Sequence, residues 1–242
     1  MTDWLGVIDA CWPAERTVTA GPWRLRVTPG GGGRVNAISG DGDDIDLDLD
    51  LDIDRAERTA RDLGQRPSFI VLPGQDRLDA ALAERGYGIT DAVDILTIPV
   101  TTLAVGVMPY ATAFTIWPPL QIMRDIWAEG GHVGPVRQAV MMRAARPAGI
   151  LARVDDRAAG AAFVAAHGHV ALLSAVEVLA RHRRKGLAGT ILTAAAHWAR
   201  AQGCTEVALV VERGNVPART AYASHGMKCV AGYHYRRPPE EP

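Results

Sequence analysis

The sequence is short of several things, and each shortage excludes something. Of 242 residues only 3 are cysteine and 6% are aromatic. Cys11, Cys204 and Cys229 form an odd set with no metal-ligand spacing, so reduced thiols in a cytoplasmic protein are expected, with no disulfide framework and no metal site. The net charge of −1 lacks the basic excess of a nucleic-acid binder. The first ten residues have neither a basic segment nor a long apolar core, so no signal peptide is read there. The most apolar run, residues 158–180, is broken by Gly160 and Gly168 and carries His167, His169 and Glu177. Those residues are costly in lipid, so the run reads as two strands joined near Gly168, and no membrane association is expected. Neither a Walker Gly-Lys-Ser/Thr nor a Rossmann G-x-G-x-x-G occurs.

What is present is 48% hydrophobic residues, enough for one large core or two modest ones. Eight aspartates fall between Asp41 and Asp54; without them the net charge of −1 becomes +7. The rest of the chain therefore suits an anionic partner.

Taken in order, residues 1–20 read as a short helix and a loop. Trp23 to Val27 alternates as a strand, Gly30 to Gly33 is a turn, and Arg34 to Ser39 is the returning strand. No helix signal follows the glycines, which favours a hairpin over a phosphate loop. Asp41 to Asp54 alternates aspartate with Ile45, Leu47, Leu49, Leu51 and Ile53, and reads as a solvated acidic insertion rather than a calcium loop. A helix over 54–64, a strand over 68–72, an amphipathic helix over 76–85 and a strand over 89–98 complete a first domain, 1–100. Residues 99–110 read as a linker. The second domain, 101–242, begins with a strand over 111–116 and helices over 119–129 and 134–143, with Trp117, Trp127, His132, Met141 and Met142 as candidate pocket-lining residues. Strands over 149–154 and 159–166 follow.

The stretch from His169 to Gly203 organises the rest. An apolar run, Val170 to Val178, meets a basic turn, Arg181 to Lys185. Gly186-Leu187-Ala188-Gly189 then opens an alanine-rich helix with Leu187, Ile191, Ala195 and Trp198 on one side. The first amides of a helix lack acceptors and sit at its positive dipole end, and small residues let an anion approach the backbone. With Arg183, Arg184 and Lys185 beside them, these amides make a credible diphosphate cradle.

Arg183-x-x-Gly186-x-Ala188 resembles the acetyl-CoA loop of the GNAT acetyltransferases. After a strand over 206–211, Asn215-x-x-Ala218-x-x-x-Tyr222-x-x-x-Gly226-Met227 resembles the same family's Asn-x-x-Ala-x-x-x-Tyr-x-x-x-Gly-Phe, with Met227 for the usual Phe. The resemblance covers roughly residues 149–237. It implies an α/β GNAT fold: a mixed, mostly antiparallel sheet whose two central parallel strands splay apart, flanked by helices. The helix–Gly86–Tyr87–strand order in the first domain echoes the end of the chain, but Leu82 stands where Tyr222 stands and no Arg-x-x-Gly-x-Ala occurs. A degenerate GNAT-like N-terminal domain without a CoA site is therefore expected.

The resemblance further implies acetyl transfer from acetyl-CoA, a co-substrate, straight to a primary amine of a small molecule or peptide in a ternary complex. No metal is required and no cysteine nucleophile is needed. Backbone near Val176 and Val178 would hold the pantetheine arm and polarise the thioester. Arg183, Arg184, Lys185, Gly186, Leu187, Ala188 and Gly189 would hold the diphosphate, and Asn215 would fix its loop as an N-cap or contact the pantetheine. Tyr222 would protonate the leaving thiolate. Glu177 is the candidate base; His132, His169, Glu212 and a water chain remain open beside it, and strand alternation puts Glu177 on the opposite face from Val176 and Val178 without saying which face meets the acceptor. The alternative is a non-catalytic acyl-CoA-binding or interaction module. A homodimer is compatible with either reading.

Overall fold

The computed structural model describes residues 2–40, 49–108 and 112–239. Helix α1 (Trp4–Cys11) starts at Asp3, whose carboxylate accepts the Gly6 N–H at 2.9 Å. Then come β1 (Arg16–Ala20), β2 (Trp23–Val27), β3 (Ile38–Gly40), α2 (Leu49–Asp62), β4 (Phe69–Val71), α3 (Asp76–Glu84) and β5 (Gly88–Pro99). Helix α4 (Val100–Leu103), β6 (Ala113–Ile116), α5 (Gln121–Gly130) and α6 (Pro135–Met141) lead into β7 (Pro147–Val154), β8 (Arg157–His167) and β9 (Val170–Val178). Helix α7 (Leu187–Ala201), β10 (Glu206–Glu212), α8 (Val216–Ser224) and β11 (Lys228–Arg237) finish the chain.

These elements form two compact bodies. The first comprises Met1–Pro13, Ile95–Val211 and Asn215–Val230. Its strands run β5, β10, β9, β8, β7, β6, antiparallel from β6 to β9 and parallel between β9 and β10. The mixed sheet expected from the sequence is therefore present. Its core is Ile150, Ala162, Val164 and Leu173 from the sheet against Leu187, Ile191, Ala195 and Ala199 from α7. Those four helix residues recur every fourth position, so they share one face, and the alanines let the helix lie close to the strands. Each buried Leu or Ile contributes about 1.5–3 kcal/mol.

The second body comprises Ala14–Asp94, Glu212–Gly214 and Ala231–Pro242. Its strands run β1, β2, β3, β4, β11. The first three form an antiparallel meander; β4 then pairs parallel with β3 at Phe69 and Ile38, and β11 pairs antiparallel with β4. Trp23, Phe69 and Tyr87 stack edge-on at 5.3 and 5.7 Å, and Ile53, Ala56 and Ala60 of α2 with Leu78 and Leu82 of α3 pack in the same cluster. Asp79 of α3 accepts from Arg236 Nε and lies against His234 Nε2, both at 2.7 Å, and these partners hold its carboxyl at about 2.

The chain runs twice through one order: antiparallel meander, helix, parallel strand, helix, strand. The last helix turns into its strand the same way in each. Gly86 (φ 81°) donates to Ala83 and Tyr87 to Leu82, both at 2.9 Å; Gly226 (φ 89°) donates to Ala223 at 2.9 Å and Met227 to Tyr222 at 3.2 Å. Both are left-handed helix caps for which glycine is suited.

Four local expectations change. Arg16–Ala20 is a strand paired with β2, not a loop. The returning strand begins at Ile38, because Gly33–Val35 forms a 3-10 turn and Asn36 turns inward to pair both backbone groups of Thr28, at 2.7 and 2.8 Å. Residues 41–48 of the acidic segment lie outside the described residues, but Leu49–Asp54 is the start of α2. There a helical face of Ile53, Ala56 and Ala60 prevails over the period-two alternation, and Leu51 is left exposed. Aspartates at this end suit the helix dipole, and Arg85 pairs with Asp50 and Asp54, drawing the Asp54 pKa down. The expected linker contains α4, pinned to the first body by the Val100 N–H to Thr205 C=O bond and by Arg200 donating to the Ala104 carbonyl, each at 2.9 Å.

Candidate active site

The site lies in the first body, where β9 changes character halfway along. Its pairing with β10 runs from Val170–Glu206 to Leu173–Leu209 and stops, although both strands continue. Beyond Leu173 the β10-facing edge of β9 has no register partner among the described residues, so its backbone groups are free for another partner. This is the parting of the central strands that the sequence reading expects.

On its other edge β9 stays paired with β8, but out of step. Phe163 faces Ser174 while Ala161 faces Glu177, so β9 carries one extra residue, a β-bulge. Ala175 sits in it at φ 51°, a left-handed conformation that costs an L-residue roughly 1–2 kcal/mol. The bulge switches faces. Before it, Ala171 and Leu173 belong to the α7-side core; after it, Val176 and Val178 pack there. Uninterrupted alternation would place Glu177 with Ala171 and Leu173. Instead Glu177 turns to α5, where a Cβ on Gly130 would sit 2.2 Å from its carboxylate. Only a glycine leaves that room. The Trp127 indole, one helical turn before Gly130, donates to the Ala175 carbonyl at 2.8 Å. One face of α5 thus supplies both the clamp on the bulge and the berth for Glu177. The Glu177 carboxylate is also 3.6 Å from an Arg183 guanidinium nitrogen.

After β9 a short 3-10 turn, Ala180–His182, leads to the start of α7. Gly186 caps α7 at φ 78° with no side-chain acceptor for its first amides, and a Cβ there would meet nothing within 4 Å. Arg183, Arg184, Lys185 and Gly186 are exposed, with Arg184 also at positive φ, 60°. Leu187 is buried and Ala188 half-buried. This helix start meets the requirements of an anion site: orphan amides, a positive dipole end and cationic neighbours. Gly189 has a different reason to be small. A Cβ there would lie 2.4 Å from the His225 ring, so it is the packing of α7 on α8 that requires glycine.

Asn215 caps α8, accepting the Ala218 N–H at 3.2 Å. Its residue is exposed. Tyr222 follows two turns later, 8% exposed, in the core cluster with Leu187, Leu209, Val211 and Met227. Burial alone pushes its phenol pKa up to about 12. Burial likewise raises Cys11, to about 12, and Cys204, so neither thiol is poised as a nucleophile.

The structure thus gathers Val176, Glu177, Val178 and Arg183 with Gly186, Leu187 and Ala188 along one continuous run of chain. Among the other candidate bases, His169 is at the opposite end of β9 from Glu177, roughly 25 Å along the strand. His132 is exposed in the turn after α5, and Glu212 falls in the second body. Of the candidate lining residues, Trp127 and Met141 are fully buried and Met142 is 47% exposed. Gly130 and the bulge at Ala175 went unread, because neither has a local signal: Gly130-Gly131 looks like a helix end, and an alanine in an apolar strand does not announce positive φ. Among the described residues no group of His, Cys, Asp and Glu could hold a metal ion, and no helix is long and apolar enough to cross a membrane.

Known proteins resemble this chain in the same region. A model of the acetyltransferase (GNAT) family matches residues 119–227. The aminoglycoside N(6')-acetyltransferase type 1 of Klebsiella aerogenes is 30% identical over 133 residues, 50% of this chain and 88% of that protein. Among solved structures, a GCN5-related N-acetyltransferase from Kribbella flavida superposes with a TM-score of 0.75 at 19% identity, over 97% of this chain and 93% of its own. A tandem GNAT protein from the clavulanic acid biosynthesis pathway gives 0.61 at 16% identity, over 85% and 76%. At these identities the structural likeness concerns the fold.

Proposed function

The chain belongs to the GNAT acetyltransferase family, and from that premise we propose that it transfers the acetyl group of acetyl-CoA directly to a primary amine of a small molecule or peptide, within a ternary complex. The observation that carries this reading is the parting of β9 and β10 after Leu173 and Leu209, beside the uncapped start of α7. The free edge of β9 offers backbone groups at Val176 and Val178 to an extended polar arm, and the amides of Arg184 to Gly189 with their cationic neighbours suit a diphosphate. Acetyl-CoA carries both groups and supplies the activated acetyl. Asn215 holds the first turn of α8 and Tyr222 stands two turns on.

In this scheme the acceptor nitrogen attacks the thioester carbon as the carbon–sulfur bond breaks. The Tyr222 hydroxyl gives its proton to the departing thiolate, and Glu177, directly or through water, takes the proton shed by the amine. The backbone beyond the bulge stabilises the charge on the carbonyl oxygen. Of the carboxylates and histidines considered, Glu177 alone stands on the run of β9 that has left β10. Residues 1–100, which run through the same meander–helix–strand–helix–strand order with Leu82 in place of the tyrosine, are read as a degenerate GNAT-like domain.

The test is amine-dependent release of free thiol from acetyl-CoA, with a panel that begins with aminoglycosides because the curated relative acts on them, and extends to polyamines and peptide N-termini. Tight CoA binding without amine-dependent thiol release would replace this reading with the non-catalytic acyl-CoA-binding module.

A further inference from the structure

The bulge in β9 decides what the site can do, and one side chain holds it. We propose that Trp127 is a positioning residue: its indole N–H grips the Ala175 carbonyl and so fixes the face on which Glu177 stands. Four observations converge. Ala175 is held at φ 51°, where an alanine does not stay unless its surroundings require it. The bulge turns its carbonyl out of the strand ladder, and the Trp127 indole nitrogen meets it at 2.8 Å. Trp127 is 0% exposed, so its indole N–H finds no water if that bond is lost. Gly130, on the same helical face, leaves the space into which the Glu177 carboxylate turns.

Without the clamp, β9 relaxes toward regular pairing with β8. That slip would carry Glu177 toward the apolar side of Ala171 and Leu173 and turn Val176 and Val178 the other way. The backbone groups that face the open edge of β9 would shift with them. Trp127 touches no reacting atom in this scheme; it acts through Ala175.

The catalytic arm of the test rests on the acetyl-transfer reading, and the structural arm does not. In the full chain, Trp127→Phe removes the donor and keeps most of the ring; 3-benzothienylalanine at the same position keeps the shape and loses only the N–H. Amide hydrogen exchange over 174–178 is expected to quicken about tenfold, the scale of one hydrogen bond, with exchange in α7 unchanged. The kcat for thiol release is expected to fall by a similar factor, while CoA affinity, which keeps its diphosphate contacts at α7, falls less. Unchanged exchange over 174–178 in a folded variant overturns the clamp. Quickened exchange with unchanged kcat overturns the positioning role. If Trp127→Phe does not fold, the benzothienyl isostere decides. A wild-type chain that releases no thiol overturns acetyl transfer instead, and the exchange rates then decide the clamp alone.

Discussion

Tyr222→Phe removes a single oxygen from the first body, and its consequences can be worked through in order. The ring is 8% exposed and burial is the sole cause of its raised pKa of about 12, with no charge or hydrogen bond contributing. The variant should therefore fold normally, with an unfolding free energy within about 1 kcal/mol of wild type, since no buried partner is left unpaired. Catalysis should respond differently. A thiolate whose conjugate acid has a pKa of about 8.5 takes a proton from a phenol at about 12 against a gradient of roughly 5 kcal/mol. Free-standing proton transfer would be slow, so the proton moves as the carbon–sulfur bond breaks, and the expected loss is at the low end for a general acid, about a hundredfold in kcat. The same number fixes the pH profile. A phenol at about 12 stays protonated through the working range, so wild-type kcat should show no alkaline decline below about pH 10. Thiol release at saturating acetyl-CoA and amine from pH 6 to 10, with CoA affinity by calorimetry, reads both quantities. Equal kcat in wild type and variant would refute the acid role; a wild-type alkaline limb near pH 9 would refute the buried phenol.

Three further substitutions test other parts. Gly130→Ala puts a methyl where the Glu177 carboxylate lies, at 2.2 Å, so kcat should fall severalfold with CoA affinity unchanged; a variant with full activity would remove Glu177 from the chemistry. Gly186→Ala forces an L-residue to φ 78° in otherwise open space, costing about 1–2 kcal/mol of stability and weakening CoA binding as the amides tilt; calorimetry with CoA reads it, and undiminished affinity counts against the cradle. Asp79 has a folded pKa of about 2, below its ordinary 3.8, through Arg236 first and His234 after it. A lowered carboxyl pKa stabilises the fold above pH 3.8 and loses that contribution as pH falls toward 2. Thermal unfolding of Asp79→Asn should lack that acid-limb loss and show a lower midpoint at pH 6; an unchanged midpoint would mean the pair contributes nothing.

Much of the site was legible because its signals are local. Val170–Val178 and Leu187–Ala201 carry period and punctuation, Gly186 marks the left-handed cap, and Asn215 caps the helix bearing Tyr222. The illegible parts depend on distant chain. Ala175 adopts positive φ without glycine where Trp127, far back in sequence, donates to its carbonyl. Gly189 resembles a phosphate-loop glycine but is small for the sake of His225. Leu49–Asp54 alternates like a strand yet winds into α2, where Ile53, Ala56 and Ala60 find a core and Arg85 gathers the aspartates. Alternation in that acidic stretch was a weaker cue than the packing available to a helix.

The second body contains β11, which pairs His234–Arg236 with Phe69–Val71 of β4. On the ribosome, that edge of β4 must wait until β11, far later in the chain, has been synthesised. Until then it presents bare N–H and C=O groups beside an apolar Phe-Ile-Val segment, the kind of edge on which nascent chains associate. A stop codon before Lys228 would therefore do more than shorten the chain. It would strand residues made well before it without their partner, so a break late in the message would surface as misfolding of a part encoded much earlier.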